Sequence, residues 1–223
     1  MISAVPQTES ISCRTASTWS EELGDHGGAF QVGAVVRVAP IKDILTLLRA
    51  FAIVKREMPE AKLCIMGGLE EDPDYVAVCH RTVRMLGVED VIFTGSIPVA
   101  EYLPKMDILV LSSISEGQPL AVLEGFSAHR PYVTTDVGCC RELIYGDSND
   151  DLGTAGAVVA PMDYEAMAHE ILRLARSYEL RRGMAEVGFA RTKAYYTYEQ
   201  FIDAYRNAYE IEGKEAAHGG RRI

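Results

Sequence analysis

Two cations and two carboxylates stand out in this chain by type and spacing. Arg37 and Lys42 flank a proline-containing stretch, Arg37-Val-Ala-Pro-Ile-Lys42, that leads from an apolar run into a helical pattern. A helix start attracts anions through its free N–H groups. A guanidinium fork and an ammonium point charge beside such a start make a clamp for a diphosphate. The stretch is not a P-loop, because Gly-x-x-x-x-Gly-Lys is absent. Two ordinary surface cations are the alternative reading.

Glu116 and Glu124 form the second constellation, in Ser115-Glu-Gly-Gln-Pro-Leu120 and the helical pattern after it. Glu124 lies between Leu120-Ala-Val-Leu123 and Gly125-Phe126. A carboxylate buried there needs hydrogen bonds, and two neighbouring hydroxyls of a ligand supply them, as ribose does in dinucleotide folds. A structural carboxylate bonded to backbone is the alternative. The N–H groups of Leu120 and Ala121, in the first helical turn, could meet a second phosphate. Gly67-Gly68 permits close approach of a ligand to backbone. The acidic run Glu70-Glu-Asp72 reads as a solvated loop rather than a metal site, because no His or Cys accompanies it.

The elements that position these residues follow from periodicity. Short apolar runs at Val32–Val36, Leu63–Met66, Val91–Phe93, Ile108–Leu111, Tyr132–Thr135 and Ala157–Val159 read as strands buried on both faces. Helical spacing separates them: from Asp43, a plausible N-cap, to a stop before Pro59; from Asp74 to Leu86, ended by Gly87; near Val99 to Leu103; from Leu120 to Ala128, opening after Pro119; and near Arg141 to Ile144. Three more helices follow, over Tyr164 to Arg176, Glu179 to Lys193 and Tyr198 to Ile211. This alternation predicts an α/β domain with a doubly wound, Rossmann-like parallel sheet of six strands over residues 32–212. Residues 1–31 read as a linker or disordered arm and 213–223 as a disordered tail. Ligands in such sheets bind outside the carboxyl ends of the strands, where both constellations fall.

Composition narrows the function. Of 223 residues, 48% are hydrophobic and 24% charged, an ordinary globular balance. Lys plus Arg is 22 against 32 Asp plus Glu, a net charge of −10, which disfavours nucleic acid as a partner. The five cysteines, Cys13, Cys64, Cys79, Cys139 and Cys140, show no zinc or redox spacing, so a reduced, cytoplasmic protein is expected. No apolar run is long enough to span a membrane, and no signal peptide is visible.

Taken in order, Arg37-x4-Lys42 and Glu116-x7-Glu124 resemble the nucleotide-sugar domain of glycosyltransferase family 4, which has the GT-B fold. The stretches Arg37–Asp43, Glu71-Asp-Pro73, Ser112–Glu116, Val122–Phe126 and Thr135–Gly138 are similar to the branch that makes the Pel exopolysaccharide. The resemblance implies that Arg37 and Lys42 hold the donor diphosphate and stabilise the leaving group. Glu116 then faces the donor sugar and Glu124 bonds the ribose hydroxyls. The backbones of Leu120 and Ala121 meet phosphate, that of Ile97 meets the base, and Gly67, Gly117, Gln118 and Pro119 complete the donor site. It implies a retaining transfer from UDP-glucose with no cofactor and no metal, in which electrostatic stabilisation of the departing diphosphate does most of the work. A membrane-associated polysaccharide synthesis complex is the implied setting.

Two departures qualify what the resemblance implies. The family usually has Gly before the first-loop Arg, where this chain has Val36. A GT-B enzyme also places an acceptor domain first, whereas only residues 1–31 precede the patterned region. The chain is therefore expected to be a donor-binding half, inactive alone, with an apolar face that promotes homo-oligomers. A non-catalytic scaffold of the same fold and a relative of the UDP-sugar epimerases are the competing readings.

Overall fold

The computed structural model describes residues 28–218, with side chains described to Asn207 and at Tyr209. Six strands form one parallel sheet in the order β3-β2-β1-β4-β5-β6. They are β1 (Gln31–Val35), β2 (Lys62–Met66), β3 (Val91–Phe93), β4 (Ile108–Leu111), β5 (Tyr132–Thr135) and β6 (Gly156–Val159). The chain therefore has the expected doubly wound, Rossmann-like architecture. The central strands are apolar at almost every position because helices cover both faces.

The helices are α1 (Ile44–Glu57), α2 (Pro73–Leu86), α3 (Leu120–Ser127), α4 (Cys140–Tyr145), α5 (Tyr164–Ala175), α6 (Tyr178–Tyr195) and α7 (Tyr198–His218). α1 packs on α2 and α5 in one layer, and α3 packs on α6 in the other. Their starts are capped as their sequences suggest. The carboxylates of Asp43, Asp72 and Asp163 accept from the backbone N–H of Thr46, Tyr75 and Ala166, and the Ser177 hydroxyl accepts from Leu180 N–H. Gly87 ends α2 in the left-handed region.

Several expectations are corrected. The single helix near Val99 to Leu103 is two 3-10 turns, Val99–Glu101 and Leu103–Lys105, because Pro104 lacks the N–H that would carry an α-helix onward. Residues 1–27 of the expected arm lie outside the described residues. The rest of it is part of the fold: Phe30 is buried, and Gln31 opens β1. α7 continues to His218, past the helical pattern that fades near Ile211. No described helix is long and apolar enough to cross a membrane.

A charged element sits where the sequence shows only a helix. Arg191 on α6 is 1% exposed and is ion-paired with Asp150, whose side chain is 4% exposed. Its guanidinium also donates to the carbonyls of Leu143, Ile144 and Gly153, at 3.1, 2.9 and 2.6 Å. It thereby ties α6 to the end of α4 and to the turn before β6.

Candidate donor site at the strand ends

β1 and β4 are hydrogen-bonded neighbours, and the strand order reverses between them. Their carboxyl ends therefore diverge into a crevice, the place where open α/β sheets bind ligands. The loop after β1 carries Arg37 and Lys42. The loop after β4 carries Ser112 to Pro119.

These two loops are tied together. Ile114 N–H donates to the Ile41 carbonyl at 2.9 Å, and the Ser112 hydroxyl donates to the Lys42 carbonyl at 2.8 Å. Lys42 Nζ reaches Glu116 Oε1 at 2.6 Å, with both side chains largely buried (17% and 12% exposed). The same carboxylate oxygen accepts from the Ser113 hydroxyl at 2.6 Å. Glu116 is thus held from two sides at the mouth of the crevice.

The neighbouring loops brace this pair. Behind Glu116, the loop after β5 contributes Cys139 N–H to the Gly117 carbonyl at 3.1 Å and the Thr135 hydroxyl to the Ser113 carbonyl at 2.7 Å. Gly138 lies at φ +51°, and a Cβ there would run into the carbonyl oxygens of Gly117 and Glu116. On the other side, Val38 N–H donates to the Gly68 carbonyl at 2.9 Å and Gly67 N–H to the Gly95 carbonyl at 3.1 Å.

Arg37 is exposed, and its guanidinium pairs with Glu71 from the loop after β2. The acidic run read as a solvated loop therefore supplies an internal partner to one of the two cations. Gly67 stands at φ +150°, and the space its Cβ would need is filled by the Val36 carbonyl. Its close approach is to the protein's own backbone. Val36, where the resemblance suggests glycine, is buried in the core cluster.

Glu124 differs most from expectation. α3 buries Val122, Gly125 and Phe126, one narrow stripe, so Glu124 points outward and is exposed. Its carboxylate has no hydrogen-bond partner among the described residues. Leu120 beside it is 67% exposed. Gly117 and Gln118 are exposed, Pro119 is buried as the residue before the helix, and Ala121 and Ile97 are half-buried.

The adjacent thiols are protonated at neutral pH: burial pushes Cys140 up to about 12 and raises Cys139 as well. No cluster of His, Cys, Asp and Glu suited to a metal occurs among the described residues.

The residues missed by sequence reasoning are supports: Ser112, Ser113, Glu71, and Gly138 in its role against Glu116. Ser113 stands three residues before Glu116, a spacing that could have suggested it. Glu71 follows β2, the neighbour of β1, so its loop leaves the same edge of the sheet.

A doubly wound sheet with charged loops converging on the β1/β4 reversal defines an open α/β domain of the kind that binds ligands at this point. Residues 29–177 match the model of the family described as "Glycosyl transferases group 1", and the chain belongs to that family. It is 28% identical over 172 residues to N-acetyl-alpha-D-glucosaminyl L-malate synthase of Bacillus anthracis, an alignment covering 76% of this chain and 42% of that protein. Its fold matches HepE of Anabaena, solved with UDP and glucose, at a TM-score of 0.67 and 24% identity, over 78% of this chain and 46% of HepE. It also matches the C-terminal domain of a glycosyl transferase group 1 protein (LpcC) of Francisella tularensis, at a TM-score of 0.67 and 22% identity, over 76% of this chain and 87% of that one. The chain thus spans less than half the length of the first two proteins.

Proposed function

We propose that this chain is the donor-binding half of a retaining glycosyltransferase of family 4. Its donor would be UDP-glucose, and its place exopolysaccharide synthesis of the Pel type. The observation that carries the reading is the Lys42–Glu116 pair at the β1/β4 reversal, because it brings a cation and a carboxylate from two loops to one crevice. That HepE was solved with UDP and glucose supports UDP-glucose as the first donor to test.

In this reading the donor diphosphate displaces Glu71 from Arg37 and shares Lys42 with Glu116. Both cations then stabilise the charge that develops as the diphosphate departs. Glu116, held by Ser113, faces the sugar. Glu124 is exposed and unpartnered, and so is free to take the ribose hydroxyls. The first-turn N–H groups of Leu120 and Ala121 meet phosphate, and Ile97 borders the base. No metal takes part. Transfer also needs an acceptor domain, so donor binding is the part of the reaction proposed for residues 32–212.

Calorimetry with UDP, UDP-glucose and GDP-mannose tests the reading. UDP and UDP-glucose should bind in the micromolar to millimolar range and GDP-mannose more weakly. Absence of heat with every nucleotide would overturn the donor site and leave the non-catalytic scaffold.

A further inference from the structure

A groove of about 660 Å³ opens on the helical layer made by α1, α2 and α5, away from the crevice. Lys55 on its α1 wall donates to the carbonyls of Pro59 and Ala61 and to Asp90. Those residues lead into β2 and β3, so this end of the groove lies at the amino-terminal edge of the sheet. The Lys42–Glu116 crevice lies at the opposite, carboxyl edge.

The α1 wall is built by Arg49, Ala52, Ile53 and Arg56, which recur at the i, i+3, i+4, i+7 spacing of one helix face. Leu86, Val88 and Tyr164 give the rest of the groove an apolar and aromatic lining. Arg49 and Arg56 are exposed, and neither has a hydrogen-bond or carboxylate partner among the described residues. Most other described arginines are paired, Arg37 with Glu71, Arg141 with Asp136 and Arg176 with Glu57 among them. Arg49 and Arg56 thus put two guanidinium groups with no protein partner among the described residues on one groove wall, both available to an anion. Lys55 is already spent on its own partners. Glu165 is the groove's one carboxylate, and it too is unpaired.

We propose that this groove binds a phosphate ester carried on an apolar body. Arg49 and Arg56 hold the phosphate, whose oxygens match the guanidinium fork. Ile53, Leu86, Val88 and Tyr164 cover the apolar part. The volume lies within the range of small-molecule sites, roughly 300–1,000 Å³, and exceeds what inorganic phosphate needs. The proposal is independent of the donor site, since it shares no residue with it.

The test uses the full chain carrying Lys42→Ala, so that the crevice does not compete for phosphate. Phenyl phosphate is titrated and backbone amide shifts are followed by NMR. Saturable shifts at Arg49, Gly87 and Tyr164 are expected. The further double change Arg49→Gln with Arg56→Gln should weaken binding by at least about tenfold, since two charge-assisted contacts are lost. Both side chains are exposed, so the fold should survive, and an unchanged far-UV CD spectrum and Tm verify this. Glu165→Gln should tighten binding by about twofold through lost repulsion. Co-sedimentation with phosphatidylglycerol vesicles distinguishes the source of the phosphate. Vesicle binding that depends on Arg49 and Arg56 assigns an acidic lipid, and binding of phenyl phosphate alone assigns a soluble ester. No saturable binding of either probe, or equal affinity in the double variant, overturns the proposal.

Discussion

Lys42 and Glu116 stand 74 residues apart in sequence, and their charged atoms meet at 2.6 Å. The contact exists because β1 and β4 are sheet neighbours that the chain connects only after building β2 and β3. Lys42 neutralises a largely buried carboxylate, and in the proposed function it also receives the diphosphate of the donor.

Separating those purposes gives the first prediction. Lys42→Ala should weaken UDP binding by about ten- to a hundredfold, the worth of one charge-assisted contact. Glu116→Gln leaves Lys42 in place, so UDP should bind nearly as before, while UDP-glucose should bind more weakly than it does to the unaltered chain. Calorimetry on both variants reads the difference. If Glu116→Gln weakens UDP and UDP-glucose alike, Glu116 only holds Lys42 and does not face the sugar.

Gly138 provides a second prediction. Its φ of +51° disfavours any side chain, and its Cβ would also strike the carbonyls of Glu116 and Gly117. Gly95, at φ +68°, has the same backbone preference with nothing within 4 Å of a Cβ. Gly95→Ala should therefore cost only the left-handed strain, about 1–2 kcal/mol. Gly138→Ala should cost more in urea unfolding and should also reduce UDP-glucose affinity by displacing the Glu116 loop. Equal costs at the two sites, with binding intact, would show that the loop behind Glu116 does not position it.

The parts of this architecture that were legible in the sequence share one property: they are local. A strand buried on both faces is an unbroken apolar run, so Ile108–Leu111 announces itself. A helix start capped by Asp43 or Asp72 is written in adjacent residues. What stayed hidden depends on contacts between distant segments. Glu124 reads as buried because its neighbours are apolar, but an eight-residue helix has room to bury only Val122, Gly125 and Phe126. Glu71 reads as solvated because its partner Arg37 lies one strand earlier, 34 residues back in the chain. Arg191 lies in a helical pattern that gives no sign of its burial, and its five donors find partners only once α4, the turn before β6 and α6 assemble.

Asp43 carries a local conflict. It adopts φ +43° and ψ +53°, a conformation that costs a non-glycine residue about 1–2 kcal/mol, while one of its buried carboxylate oxygens has no partner. Its other oxygen caps α1 through Thr46 N–H at 3.3 Å. Glycine at an N-cap forfeits only a few tenths of a kcal/mol relative to aspartate. Asp43→Gly should therefore stabilise the protein by about 1 kcal/mol, the strain relieved less the cap lost. Asp43→Ala keeps the strain and loses the cap, and should destabilise by about 1 kcal/mol. Urea unfolding of the pair checks the sign, and destabilisation by both changes would place the carboxylate's value elsewhere than in the cap.

The Arg191–Asp150 pair contributes to the acid side of the stability profile. Arg191→Met leaves the Asp150 carboxylate buried without its cation and strips donors from three carbonyls, which should cost about 3–5 kcal/mol at neutral pH. Arg182→Met, which breaks an exposed pair with Glu179, should change stability by less than about 1 kcal/mol. The hydrogen bond from Arg191 holds the Asp150 carboxyl below its ordinary value. In the unfolded chain that carboxyl titrates near about 3.9, so the unfolded state takes up its proton first as pH falls. The stability contributed by the pair is therefore complete at neutral pH. It declines as pH drops below about 4 and through the folded-state value. Denaturation of wild type and Arg191→Met across this range should give curves that converge toward acid pH. A difference that stays constant down to the lowest pH would mean that the variant's cost comes from packing and the carbonyl contacts rather than from the charge on Asp150.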